Sequence, residues 1–157
     1  MYKEQTREEY AVHTITSRQQ VKECPIFHVD NFQWRNVIKP KTWGCMGYLL
    51  NEGLYIEMTT EETQPKREFQ HHMDPVWQDS AMEAFFTFPD GVMQSDKEFV
   101  PRNEGLYFNF EVNANGAMYA NYGYGRDNRK PFSAEEFSTF DVNATINPTQ
   151  WSISLLV

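Results

Sequence analysis

Apolar and polar residues alternate with a period of two along most of the chain, the spacing of strands rather than helices. Leu54–Thr60 shows it cleanly: Leu54, Ile56 and Met58 fall on one face, and Tyr55, Glu57 and Thr59 on the other. Gly44–Leu50 reads as the preceding strand, with Asn51-Glu52-Gly53 as the hairpin turn. The pair predicts a meander with one dry and one wet face. Ala81–Phe88 places Met82, Ala84, Phe86 and Phe88 on one face and Glu83, Phe85 and Thr87 on the other. Tyr107–Asn113 opposes Phe108, Phe110 and Val112 to Tyr107, Asn109, Glu111 and Asn113. Ala114-Asn115-Gly116 turns the chain, and Ala117–Tyr124 returns from it. Tyr10–Thr16, Thr139–Ile146 and Gln150–Val157 read as further strands, and Glu61–Asp74 and Val92–Glu104 as loops. Helical signal is thin. Ser133-Ala134-Glu135-Glu136 fits a capping box of one turn at most, and Arg18–Glu23 reads as another turn. About eight short strands separated by turn residues predict an all-β chain, an antiparallel β-sandwich, with no boundary that divides residues 1–157 into two domains.

Composition changes this picture in two ways. Apolar residues are only 40% of the 157, but aromatics are 15%, so a few large side chains fill the core and disorder is not expected. The 22 acidic against 14 basic residues give a formal net charge of −8. The densest basic run, Arg126–Lys130, already holds Asp127. Nucleic acid and anionic membrane surfaces, which require clustered Lys and Arg, are therefore poor partners. No apolar run reaches the length of a membrane span, and the polar start Met1–Glu9 is not a signal peptide, which leaves the compartment open. Cys24 and Cys45 read as free thiols, with one bridge open to a secreted protein.

Three blocks hold candidate chemistry. Asp74–Phe86 sets Trp77 in a Pro-containing loop just before a strand whose wet face bears Glu83. A Trp beside acids and amides is sugar chemistry: the ring covers the apolar face of a pyranose, and carboxylates and amides take its hydroxyls. Packing of the same Trp on the sandwich edge is the plain alternative. Tyr107–Asn113 lines up Asn109, Glu111 and Asn113 at strand spacing, either as a binding face or as a solvated one. In Tyr122-Gly-Tyr-Gly-Arg126, with Arg129 three residues on, the glycines permit an open turn that presents Arg126.

Taken in order, Trp-x-Asp-Ser-x-x-Glu-x-Phe at Trp77–Phe85, Tyr-Phe-Asn-Phe-Glu-Val-Asn at Tyr107–Asn113, Gly116, and Tyr-Gly-x-Gly-Arg at Tyr122–Arg126 resemble the family 9 carbohydrate-binding modules. The resemblance is closest to the bacterial family 9-like branch. Trp34 and Trp43 before Gly47–Thr60, and the closing Gln150-Trp-Ser-Ile-Ser, fit the same family more loosely. The resemblance implies a sandwich related to immunoglobulin-like and DOMON-like domains. It also implies non-catalytic binding of a mono- or disaccharide or of a polysaccharide end. Trp77 matches one Trp of an aromatic clamp and Glu83 the sugar-binding Glu, while Asn109, Glu111 and Asn113 occupy the strand that completes the hydroxyl contacts. Arg126 matches the branch pattern. The family implies a further segment with a second clamp Trp, whereas this sequence stops at Val157. The expectation is therefore a C-terminally truncated or half-built site, for which Trp34, Trp43 or Tyr124 could substitute. The family also implies a structural calcium, but no dense ligand run is present and only Asp30 and Asp79 stand as loose candidates.

Three other readings compete. Glu83 and Glu111 on neighbouring strands form the carboxylate pair that a glycoside hydrolase needs. His71-His72-Met73 supplies axial-ligand types for haem, although adjacent residues cannot easily ligate opposite faces. A polar sheet face with exposed aromatics also suits a protein partner.

Overall fold

The computed structural model describes residues 9–31, 39–88, 91–93, 99–101, 106–124 and 128–157. Period-two alternation becomes two sheets packed face to face. The larger contains β1 (His13–Ile15), β2 (Ile26–His28), β3 (Thr42–Leu49), β4 (Gly53–Thr60), β11 (Asn143–Ile146) and β12 (Trp151–Leu156), in the order β1-β3-β4-β12-β11. Both β1 and β2 pair with β3; β1 runs parallel to it, the one parallel pairing among the described strands. The smaller sheet contains β5 (Ala81–Phe88), β8 (Leu106–Asn113), β9 (Met118–Gly123) and β10 (Arg129–Pro131), in the order β10-β9-β8-β5, all antiparallel. The remaining β6 (Gly91–Met93) and β7 (Phe99–Pro101) form a separate two-stranded ribbon within what the sequence reads as a loop.

The main core lies between the sheets. Ile56, Met58, Trp151, Ile153 and Leu155 from the larger sheet meet Met82, Phe110, Val112, Met118 and Ala120 from the smaller. Trp151 is held by more than packing, since its Nε1–H donates to Glu62 Oε2 at 2.8 Å. The outer face of the larger sheet is not simply wet. Tyr55 is buried there with Ile15, Val21, Cys24 and Leu49 in a second cluster, beneath the 3₁₀ turn Arg18–Glu23. Cys24 and Cys45 are free thiols.

Local chemistry explains the element ends. The β3–β4 hairpin turns at Asn51 with φ 65°, and at Gly53 with φ 151° the Val157 carbonyl occupies the space a Cβ would need. The expected strand from Tyr10 shortens to β1, and Tyr10 instead lays its side chain against β3, its hydroxyl accepting the Met46 N–H at 2.9 Å. The expected strand from Thr139 starts only at Asn143. Ser133 caps α1 (Ala134–Phe137) with a full capping box, the Thr139 N–H closes that turn on the Glu136 carbonyl, and Phe140 and Val142 turn into the core.

Candidate functional site

One face of the smaller sheet packs in the core, and the other forms the floor of an open cleft of about 600 Å³. Register builds that floor in two rows across three strands. Glu83, Glu111 and Tyr119 lie side by side, as do Phe85, Asn109 and Asn121. Tyr107 and Arg129 close the far end, and Trp77 stands over the near end.

Trp77 reaches this position because its loop is clamped. It sits in the middle of the 3₁₀ turn Val76–Gln78, between fully buried Val76 and the buried carboxylate of Asp79. Asp79 accepts from the backbone N–H groups of Glu68 (3.0 Å) and Phe69 (2.9 Å) and from Asn113 Nδ2 (2.9 Å). Burial pushes the Asp79 carboxyl up, but these donors outweigh it and hold the group below its ordinary value. Lys66 Nζ closes the loop on the Gln78 carbonyl at 2.9 Å. The Trp77 ring itself stays 49% exposed, edge-on to Tyr119 at 4.9 Å between centroids. Opposite it, Phe85, also 49% exposed, stacks on Tyr107 at 6.0 Å, and the Arg129 guanidinium lies 5.6 Å from the Tyr107 ring centre. The cleft therefore has aromatic walls at both ends.

The part of the floor on β8 and β9 is buried at Asn109, Glu111 and Asn121, while Glu83 and Phe85 of β5 stay exposed. Asn109 is 0% exposed and Glu111 9%. Asn109 Nδ2 donates to Glu111 Oε1 at 2.9 Å, which orients both groups. Asn109 Oδ1, Glu111 Oε2 and Asn121 Oδ1 are buried without a hydrogen-bond partner among the described residues. Such acceptors are costly unless a ligand or water donates to them. Lost hydration, and then the Glu111 carboxylate on the adjacent strand, push the Glu83 carboxyl above its ordinary range.

Of the sequence-predicted residues, the structure brings Trp77, Glu83, Asn109 and Glu111 together. Asn113 stands apart: it is 0% exposed, its amide nitrogen bonds Phe69 O and Asp79, and its oxygen accepts the Asn115 and Ala117 N–H groups. It carries the Trp77 loop instead of lining the cleft. Arg126 and Trp34 lie outside the described residues. Trp43 does not replace a clamp ring, because it belongs to β3 in the other sheet, where Lys41 Nζ covers it at 5.3 Å. Tyr119, Phe85, Tyr107 and Arg129 complete the cleft instead. Phe85 had a signal, a large apolar residue on a polar face, whereas Arg129 had none beyond its proximity to Arg126.

The rival ligand sets find other uses. Asp79 faces hydrogen-bond donors and a lysine, an anion's partners rather than a calcium shell. Among the described residues no group of three or more His, Cys, Asp or Glu is placed to hold a metal ion. His72 Nδ1 accepts the Met118 N–H, and its ring packs on Phe137.

Comparison with known proteins fits this geometry. A candidate carbohydrate-binding protein from Bacteroides uniformis has the same fold, with a TM-score of 0.71 at 17% identity over 93% of this chain and 70% of that one. Comparison with curated proteins returns no match. The sequence profile of carbohydrate-binding family 9 matches residues 14–157, from β1 through β12. With that profile spanning both sheets and the cleft on the smaller one, the chain belongs to carbohydrate-binding family 9.

Proposed function

We propose that this chain is a non-catalytic module whose cleft binds a small saccharide or the end of a polysaccharide chain. One observation carries the reading: buried acceptors without a donor among the described residues lie beneath exposed aromatic rings. A pyranose has the complementary surface, with apolar C–H faces for Trp77 and a rim of hydroxyl donors for Glu83, Asn109 and Glu111. Affinity is modest, since a small sugar offers little apolar area and its hydroxyls must be desolvated.

The test is calorimetric titration with glucose, xylose, cellobiose and xylobiose, the disaccharides also after borohydride reduction, on the native protein and on Trp77→Ala. Heat is expected with native disaccharides and not with reduced ones if a chain end is recognised. Trp77→Ala should lose binding while its circular dichroism and melting stay close to those of the native protein, because the ring is half exposed. Normal binding by that variant would refute the stacking role. Glu83 and Glu111 occupy directly opposed positions on neighbouring strands, so reducing-sugar release is assayed alongside, with none expected.

A further inference from the structure

We propose that the cleft selects a hexose bearing a free amine over its neutral parent and over acidic sugars. The inference rests on the saccharide reading of the same cleft and names the class of sugar it favours.

The groups left without a partner among the described residues are of one kind. Asn109 Oδ1, Glu111 Oε2 and Asn121 Oδ1 are all acceptors. The Asn109 amide nitrogen is already turned to Glu111 Oε1, which leaves the oxygen as its unpartnered end. A hydroxyl is donor and acceptor at once, so each hydroxyl placed here brings lone pairs to a floor rich in lone pairs. An ammonium brings three donors and no acceptor.

Charge points the same way. Glu83 and Glu111 face each other in register on adjacent strands. Lost hydration, and then this repulsion, raise the Glu83 carboxyl above its ordinary range. A cation placed between them relieves that repulsion and makes charge-assisted hydrogen bonds, which are roughly twice as strong as neutral ones. The rings around it add to the attraction, since aromatic walls recognise ammonium groups through their quadrupoles. Trp77 and Tyr119 border the Glu83–Glu111 row. Among the described residues, the cationic side chain that lines the cleft, Arg129, lies over Tyr107 at the opposite end. The two ends thus differ, and the ammonium belongs to the Glu83–Glu111–Tyr119 row. A uronate carboxylate in that row would meet two like charges.

The experiment is titration of the native protein at about pH 6, where a sugar amine is protonated, with D-glucosamine, D-glucose, N-acetyl-D-glucosamine and D-glucuronate. Glucosamine is expected to bind about tenfold more tightly than glucose. N-acetylglucosamine should show no gain, because acetylation removes the charge, and glucuronate should bind most weakly. Half-molar salt should narrow the glucosamine-to-glucose ratio. So should Glu111→Gln and, separately, Glu83→Gln, each read as the ratio of two sugars on one folded protein. Glucosamine binding no better than glucose, or glucuronate binding best, would overturn the inference and leave the saccharide reading standing. Absence of binding by all four sugars, and by the neutral disaccharides above, would overturn both.

Discussion

Asp79 never touches the cleft, yet the placement of Trp77 depends on it. Its carboxylate accepts three hydrogen bonds of 2.9–3.0 Å with its side chain fully buried, and those bonds gather residues 68 and 69, the Trp77 turn and β8 around one point. In Asp79→Asn one oxygen becomes an amide nitrogen facing N–H donors, so at least one backbone N–H loses its acceptor. Hydrogen bonds to a charged partner are worth about 1.5–3 kcal/mol each. The desolvation cost of the buried charge, which the variant avoids, offsets part of that sum. A net loss of about 3 kcal/mol at neutral pH follows, a large share of the ~5–15 kcal/mol of a typical domain. Urea unfolding followed by Trp fluorescence measures it. The pH dependence adds a sign. The folded carboxyl lies below its ordinary value of 3.8, so the unfolded chain binds the proton more readily. Its contribution is fully present above that ordinary value and disappears as pH falls through the folded one. The gap between native protein and variant should therefore be constant from neutral pH to about pH 4 and close below it. A gap under about 1 kcal/mol, or one that widens on acidification, would refute the clamp.

Trp151→Phe should cost about 2–3 kcal/mol in the same urea assay, from the lost bond to Glu62 and the space left in the main core; a loss under about 0.5 kcal/mol would contradict both. Gly123→Ala puts a Cβ into the Asn128 carbonyl, so β10 must separate from β9. Faster exchange of the Arg129 and Lys130 amides and weaker saccharide binding are expected, and unchanged exchange would show that the strands yield without separating. Glu83→Gln removes a carboxyl whose value is raised by folding. The folded protein therefore binds that proton more readily than the unfolded chain, and the charged form opposes folding at neutral pH. The variant should melt slightly higher than the native protein at pH 7 and equally below about pH 4, while binding sugar less well; a lower melting point at pH 7 would reverse the sign.

Most of the sandwich was legible because alternation survives in every long strand. Ala81–Phe88 matches its expected bounds, and β3, β4, β8, β9 and β12 shift by a residue or two. The elements that escaped, β2 and β10 among them, are three residues long, too short for a period to register. In the site, Asn109, Glu111 and Asn113 have the same signature: a polar residue at every second position of one strand. What separates them is the cover over each. Asn113 lies under the residue 67–69 segment, which consumes its amide, whereas Asn109 and Glu111 lie under an open cleft. That cover comes from a loop more than forty residues away in sequence, as the Asn113–Phe69 bond shows. Tyr119 and Arg129 escaped for the same reason, since only cross-strand register places them beside Glu111 and Tyr107.

The seam between β4 and β12 also orders the folding reaction. β3 meets β4, and β8 meets β9, across short turns, so each hairpin can close with little loss of chain entropy. In the larger sheet, by contrast, Thr60 is matched with Trp151 and Ile56 with Leu155. β11 reaches β4 only through β12. That seam closes the longest loop among the described β-ladders, and it carries Trp151, Ile153 and Leu155 into the core. A chain assembled this way forms its cleft-bearing sheet from neighbouring segments early and zips the opposite sheet late. Loop-closure entropy makes that non-local pairing the expected slow step of refolding, so substitutions in β12 should slow refolding more than they speed unfolding.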